Sequence, residues 1–84
     1  MEYNEIEDRY YNLDDILKLN IPDTLKQEYK EKFKKRVFYD SNGSCKVGTL
    51  VGLAKNYELS DYFYIIKIKE NKSFVPIWKS ITIL

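Results

Sequence analysis

Histidine is absent from this 84-residue chain, and cysteine, methionine and tryptophan each occur once. Without histidine the chain lacks the commonest general base and the commonest metal ligand. Its three glycines do not form a Gly-rich phosphate loop. A single cysteine excludes an intramolecular disulfide, so folding does not require an oxidising compartment. These absences predict a protein that is not an enzyme and that binds no cofactor.

Two further features could support catalysis or metal binding, the lone cysteine and the acidic N-terminal segment. Cys45 has no histidine to activate it, so we expect a small buried hydrophobic side chain at the start of a strand. The early acidic residues lack the glycine-bearing loop of alternating Asp and Asn that holds a hard cation. They are Glu5, Glu7, Asp8, Asp14 and Asp15. No metal site is predicted.

Long apolar runs are also missing. No uncharged stretch approaches the ~18 residues that a membrane span requires, and no basic segment followed by an apolar run opens the chain. We therefore expect a cytoplasmic protein with no membrane contact. The frequent Lys, Asn, Ile and Tyr residues are typical of an AT-rich bacterial or phage coding sequence.

Charge is balanced overall at +1 but unevenly distributed. Residues 1–17 carry six acids and one base, residues 18–36 carry seven bases and three acids, and residues 37–84 carry six bases and four acids. An acidic segment and a basic one can attract each other within a monomer or face different partners. The length allows one domain, 1–84, with a helical arm and helix in 1–36 and a sheet or barrel in 37–84.

The first half of the chain has helical spacing. Apolar residues recur every three or four positions at Tyr3, Ile6, Tyr10, Leu13 and Leu17. One helix could carry all five, but Asn12 is a good N-cap, which favours a short or irregular arm followed by a helix over about residues 13–19. A second helix is predicted from Thr24 to about Arg36, with Leu25, Tyr29 and Phe33 on one face.

The second half has strand periodicity. Val37–Tyr39 and Cys45–Ala54 flank Asn42-Gly43, the strongest short hairpin signal because both residues tolerate positive φ. Tyr62–Leu84 is rich in β-branched and aromatic residues, with a turn predicted at Glu70–Lys72 and a short final strand. Pro76 indicates an edge strand or a bulge, since proline cannot donate to a ladder.

Gly48 and Gly52 give the second strand room to bend, a long third strand follows, and Trp78-Lys79-Ser80 forms a one-turn link to the last strand. From about Arg36 to Leu84 this pattern resembles a small SH3-like β-barrel. The predicted fold class is therefore α+β, with N-terminal helices packed on a small, strongly bent antiparallel sheet or SH3-like barrel of about five strands. The tyrosine-rich motif of peptide-binding SH3 domains is absent, so the resemblance does not imply recognition of proline-rich peptides.

Association with a protein partner or with a second copy is the first functional hypothesis, because the 13 aromatic residues include the types that dominate interface energetics. Its candidate residues are Tyr3, Ile6, Tyr10, Tyr57 and Trp78. The alternative reading of the Tyr3, Ile6, Tyr10 stripe is that it packs on the chain's own core. A phage or mobile-element inhibitor of a host factor would be one protein of this kind.

Nucleic-acid or nucleotide binding is the alternative hypothesis. Its candidate phosphate contacts are Lys26, Lys30, Lys34, Lys35, Arg36, Lys67 and Lys69. Lys72 extends this surface, and Tyr62, Phe63 or Tyr64 would supply a stacking platform. The near-neutral pI opposes this hypothesis, since phosphate-binding domains are usually distinctly basic. A small-ligand pocket beside the glycine-bearing strand is a third possibility.

Overall fold

A computed structural model describes residues 6–56 and 61–84. Within this part of the chain there are six strands and two helices. In chain order they are β1 (Ile6–Tyr10), α1 (Leu13–Leu17), α2 (Asp23–Lys32), β2 (Arg36–Ser41), β3 (Ser44–Asn56), β4 (Asp61–Ile68), β5 (Asn71–Pro76) and β6 (Thr82–Ile83).

All the strands belong to one antiparallel sheet built around β3. The main order is β5-β4-β3-β2-β6, with β1 paired to β3 outside this path. β4 occupies one edge of β3, while β2 and β1 share the other, β2 along its first half and β1 along its second. One 13-residue strand thus holds three partners, an arrangement compatible with a small barrel-like fold.

β3 bends where its pairing with β4 shifts register, between Leu50 and Gly52. Because of this bulge, Leu50 and Leu53 are both fully buried although they lie three residues apart. The end of β1 comes so close to Gly52 that an added Cβ would overlap the Tyr10 carbonyl oxygen and lie 3.0 Å from the Tyr11 ring. Fully buried and half-buried residues therefore alternate along β3 only up to the bulge.

The core lies inside the bent sheet and receives Leu25 and Tyr29 from α2. The Tyr29 ring lies 5.5 Å from that of Tyr64 in a tilted arrangement, and its hydroxyl donates a buried hydrogen bond of 3.0 Å to the Gly52 carbonyl oxygen. The predicted apolar stripe of this helix is confirmed, with Phe33 partly buried at its end.

The predicted α+β class is wrong. Strand accounts for 52% of the structure and helix for 21%, and within the described residues only α2 exceeds seven residues. The error arises at β1, because Ile6, Asp8 and Tyr10 also satisfy a strand period of two. Pairing with the open edge of β3 supplies ladder hydrogen bonds that a short helical arm would lack. Residues 1–36 are therefore not a purely helical unit.

Several local predictions are confirmed. Asn42 and Gly43 have φ of 52° and 84° between β2 and β3, as a two-residue hairpin turn requires. Asn12 caps α1 by accepting a hydrogen bond of 2.8 Å from the Asp14 amide. Pro76 ends β5, an edge strand. The helices end earlier than predicted, at Leu17 and Lys32.

Among the described residues, no helix combines the length and the apolar character needed to cross a membrane.

Candidate partner-binding surface

Trp78 is the most exposed large hydrophobic side chain in the described part of the chain, with 77% of its surface accessible. It lies in the turn that follows β5, closed by a 3.0 Å hydrogen bond from the Lys79 amide to the Pro76 carbonyl. Depressions lie on both sides of the indole and share Trp78 and Ile77 in their walls. We call Trp78 and these two depressions the Trp78 surface.

The larger depression has a volume of about 350 Å³ and runs between α2 and the segment before β6. Leu25, Tyr64 and Ile81 give it an apolar floor. Lys32 forms a salt bridge with Glu28 and donates a 2.8 Å hydrogen bond to the Ile81 carbonyl oxygen. This contact joins the helix to the last turn and fixes the width of the groove.

The smaller depression, about 200 Å³, lies between β4 and the end of β5. Tyr62, Phe63 and Pro76 line it together with Asp61. Phe63 and Pro76 are partners in the β4–β5 ladder, so this wall belongs to the sheet. The indole thus stands between a helix-lined groove and a sheet-lined groove.

Apolar side chains are also exposed at β6. Ile83 is 40% and Leu84 68% accessible, and the Leu84 amide donates a 2.9 Å hydrogen bond to the Arg36 carbonyl oxygen. β6 is the terminal strand of the order, so its outer edge has no neighbour among the described residues. An unpaired edge with apolar side chains is a surface on which a further chain can add.

The predicted partner-binding residues do not form one patch. Tyr10 is half-buried in β1 opposite Leu53, where it packs against the core, and it lines neither depression beside Trp78. Desolvation, followed by the nearby Asp8 carboxylate, raises the pKa of Tyr10. Ile6 pairs with Asn56 in β1. Tyr3 and Tyr57 lie outside the described residues.

The predicted basic residues separate into two groups. Lys26 and Lys30 belong to α2, and Lys34 and Lys35 lie between α2 and β2. Arg36, Lys67 and Lys69 instead meet around one depression of about 350 Å³, which Val47, Gly48, Thr49 and Ile68 also line. Of the aromatic residues suggested for stacking, Tyr64 is buried in the core.

Arg9 and Tyr11 were not predicted as site residues. The Arg9 guanidinium lies 5.2 Å from the centroid of the Phe74 ring, and the Lys72 ammonium 4.6 Å from that of Tyr11. Both contacts exist because this segment is a strand that ends beside Tyr11. The helical spacing of the segment gave no sign of them. The alternation of Asp8, Arg9 and Tyr10 is the signal that would have separated an outer from an inner face.

The expected position of Cys45 was wrong, because this side chain is exposed near the hairpin end of β3. The first three residues of β3 are exposed, Val47 is half-buried, and full burial begins at Gly48. No group of three or more His, Cys, Asp or Glu side chains within residues 6–56 and 61–84 is placed to hold a metal ion.

Two tyrosines in the core, Tyr29 and Tyr64, have strongly raised pKa values. Desolvation, then the Glu28 carboxylate, raises the pKa of Tyr64 to about 12, and desolvation also raises that of Tyr29. Both phenols are therefore neutral at ordinary pH. Since the Tyr29 hydroxyl already donates to Gly52, its role is to hold α2 on β3.

Comparison with protein-family models, with curated proteins and with solved structures finds no match for this chain. Its function is therefore inferred from its own surface.

Proposed function

We propose that this chain is a non-catalytic interaction protein that binds a protein partner through the Trp78 surface. The observation that carries the proposal is the indole itself, which is 77% exposed and contributes to the walls of two neighbouring grooves. Tryptophan is among the residues most enriched in interface hot spots, and such residues act by filling pockets from which water is excluded. A partner that inserts side chains into both grooves would bury both faces of the ring.

The composition of the larger groove supports a protein occupant. An apolar floor with a polar rim is the usual anatomy of a protein interface. Here the rim includes Glu28 and Lys32, which are already joined to each other, and Lys79, whose ammonium donates a 2.9 Å hydrogen bond to the Asp40 carbonyl oxygen. Because these side chains are held in place, a partner would lose little free energy in ordering them.

The architecture adds a finer proposal, that the sheet is an SH3-like barrel. A long bent central strand and a single turn before a short last strand support it, and that turn carries Trp78. Small barrels of this kind host many functions, so the partner follows from the surface and not from the fold. We propose that the protein is encoded by a bacterium or a phage and acts in the bacterial cytoplasm, where it would block a host factor by occlusion.

Association with a second copy is the other form of this proposal, and the exposed edge of β6 favours it. Ile83 and Leu84 are accessible there, and β5 at the opposite end of the sheet is also an edge. Two copies that paired edge to edge would continue one sheet across the interface.

The test is affinity purification of the tagged chain at low ionic strength, followed by native mass spectrometry. The comparison is between wild type, Trp78→Ala and the matched control Tyr11→Ala, which also removes an exposed aromatic ring. We expect a stoichiometric complex with wild type and Tyr11→Ala that is lost with Trp78→Ala. Since Trp78 is mostly exposed, its replacement should change the unfolding free energy by no more than about 0.5 kcal/mol.

A partner retained equally by Trp78→Ala would contradict the proposal. A homo-oligomer that persists in Trp78→Ala but dissociates in Leu84→Lys would show that the interface lies at β6 and not at the Trp78 surface.

A further inference from the structure

Strand register places four polar side chains in one row across the sheet. Arg36 on β2 pairs with Thr49 on β3, Thr49 pairs with Lys67 on β4, and Lys67 pairs with Lys72 on β5. Directly opposed residues in antiparallel strands lie on the same face with Cβ atoms about 5 Å apart. We call Arg36, Lys67 and Lys72 the basic row. Its three strand-to-strand steps span about 14 Å.

Folding does not account for this row. The three cations are exposed, and none of them forms a salt bridge within residues 6–56 and 61–84. Like charges directly opposite each other destabilise a sheet, and Lys67 and Lys72 are such a pair. Three cations without carboxylate partners on one sheet face are the pattern expected where anionic groups bind.

Aromatic side chains lie beside the row. Tyr11, which is 42% exposed, has its ring centroid 4.6 Å from the Lys72 ammonium, and that ammonium also lies 3.5 Å from the Tyr11 hydroxyl. Two residues beyond Lys72 on β5, the Phe74 ring lies under the Arg9 guanidinium. At the other end of the row, Lys69 completes the depression that Arg36 and Lys67 line.

We infer that this outer face of the sheet binds single-stranded nucleic acid. The basic row contacts successive phosphates of the backbone, and Tyr11 provides a stacking surface for a base. A basic path beside aromatic side chains is how sequence-tolerant single-strand binders work, because every base has a π-face. A base within a duplex is already stacked and cannot use Tyr11, so the site selects single strands.

The near-neutral pI is explained by how the charges are distributed. Residues 36–84, which form β2 to β6, carry seven basic and four acidic residues, a net of +3. The negative charges that offset this excess include five on α1 and α2: Asp14, Asp15, Asp23, Glu28 and Glu31. A local phosphate-binding field therefore coexists with a net charge of only +1.

Fluorescence anisotropy with a labelled oligothymidine of about 15 nucleotides, measured between about 50 and 200 mM salt, tests the inference. The test variant is Arg36→Gln/Lys67→Gln/Lys72→Gln. The control Lys18→Gln/Lys26→Gln/Lys30→Gln removes the same charge from the helical segment. We expect the first variant to bind about tenfold more weakly or worse and to lower the slope of log affinity against log salt by about 2. The control should remain near wild type.

Tyr11→Leu separates stacking from charge. It should weaken oligonucleotide binding about fivefold or more without changing the salt slope, whereas Trp78→Ala should have no effect. Lys67→Gln alone replaces the triple variant if circular dichroism shows that the triple variant is unfolded.

Three outcomes would overturn the inference. They are equal losses in the two triple variants, a duplex that competes as well as the single strand, and inorganic polyphosphate that displaces the oligonucleotide while Tyr11→Leu binds normally.

Discussion

Gly52→Ala is the substitution to which this fold should be most sensitive. Three elements meet at Gly52: β3, which contains it, β1, whose Tyr10 carbonyl oxygen lies close to it, and α2, whose Tyr29 donates to its carbonyl oxygen. An alanine Cβ would overlap the Tyr10 carbonyl oxygen and lie 3.0 Å from the Tyr11 Cδ1 atom. The obstructing atom belongs to the backbone, so no change of rotamer can relieve the overlap.

The magnitude follows from what must move. Overpacking a well-packed site costs about 1–3 kcal/mol, and the upper end applies where backbone must shift. Displacing β3 instead would weaken the Tyr29 hydrogen bond to Gly52, worth about 1 kcal/mol. We therefore expect Gly52→Ala to lower the unfolding free energy by about 3 kcal/mol, or Tm by about 12 °C or more.

Gly43→Ala is the matched control and Gly48→Ala a second test, with stability measured by urea and thermal denaturation followed by circular dichroism. At Gly48 an added Cβ would lie 2.6 Å from Ile66 Cγ2 and 2.7 Å from the Lys67 carbonyl oxygen, so a similar loss is expected. At Gly43 nothing lies within 4 Å, but φ is +84°, so alanine should cost only about 1–2 kcal/mol of backbone strain.

A Gly52→Ala protein as stable as Gly43→Ala would refute the close approach of the Tyr10 carbonyl oxygen to Gly52.

Two further predictions concern the helices and the buried phenols. Asn12→Ala should cost about 1 kcal/mol because it removes the cap of α1, whereas Asn12→Asp should be nearly neutral; equal losses would show that the cap is not what matters. Burial raises the pKa values of Tyr29 and Tyr64, so the stability that these phenols give is complete below about pH 10 and is lost above it. The unfolding free energy should fall by up to about 1.4 kcal/mol per pH unit for each tyrosine, up to about pH 12 for Tyr64. Tyr29→Phe should lower the total slope by up to about 1.4 kcal/mol per pH unit in denaturation measured at alkaline pH, and an unchanged slope would exclude Tyr29.

Outcomes at particular residues show where sequence reasoning was reliable. The turn at Asn42-Gly43, the Asn12 cap and the buried Leu25–Tyr29 stripe were all predicted, because each depends on residues within one or two turns of chain. Pro76 at an edge strand was predicted for the same reason, since a missing amide excludes a central ladder position.

The predicted secondary structure of the N-terminal segment was wrong. Tyr3, Ile6 and Tyr10 have helical spacing, yet Ile6–Tyr10 is a strand, because its hydrogen-bond partners lie in β3. A five-residue segment is too short for its apolar spacing to distinguish a helix from a strand. Because local propensity is weak, pairing with the free edge of β3 determines that the segment is a strand.

Sequence patterns alone predicted strands after residue 36 and put the single tryptophan in a turn before the last strand. The place of the indole between two grooves, and the row formed by Arg36, Lys67 and Lys72, follow only from how the strands pack together. These residues are far apart in the chain, and strand register, which places them together, is set by side-chain packing across the whole sheet.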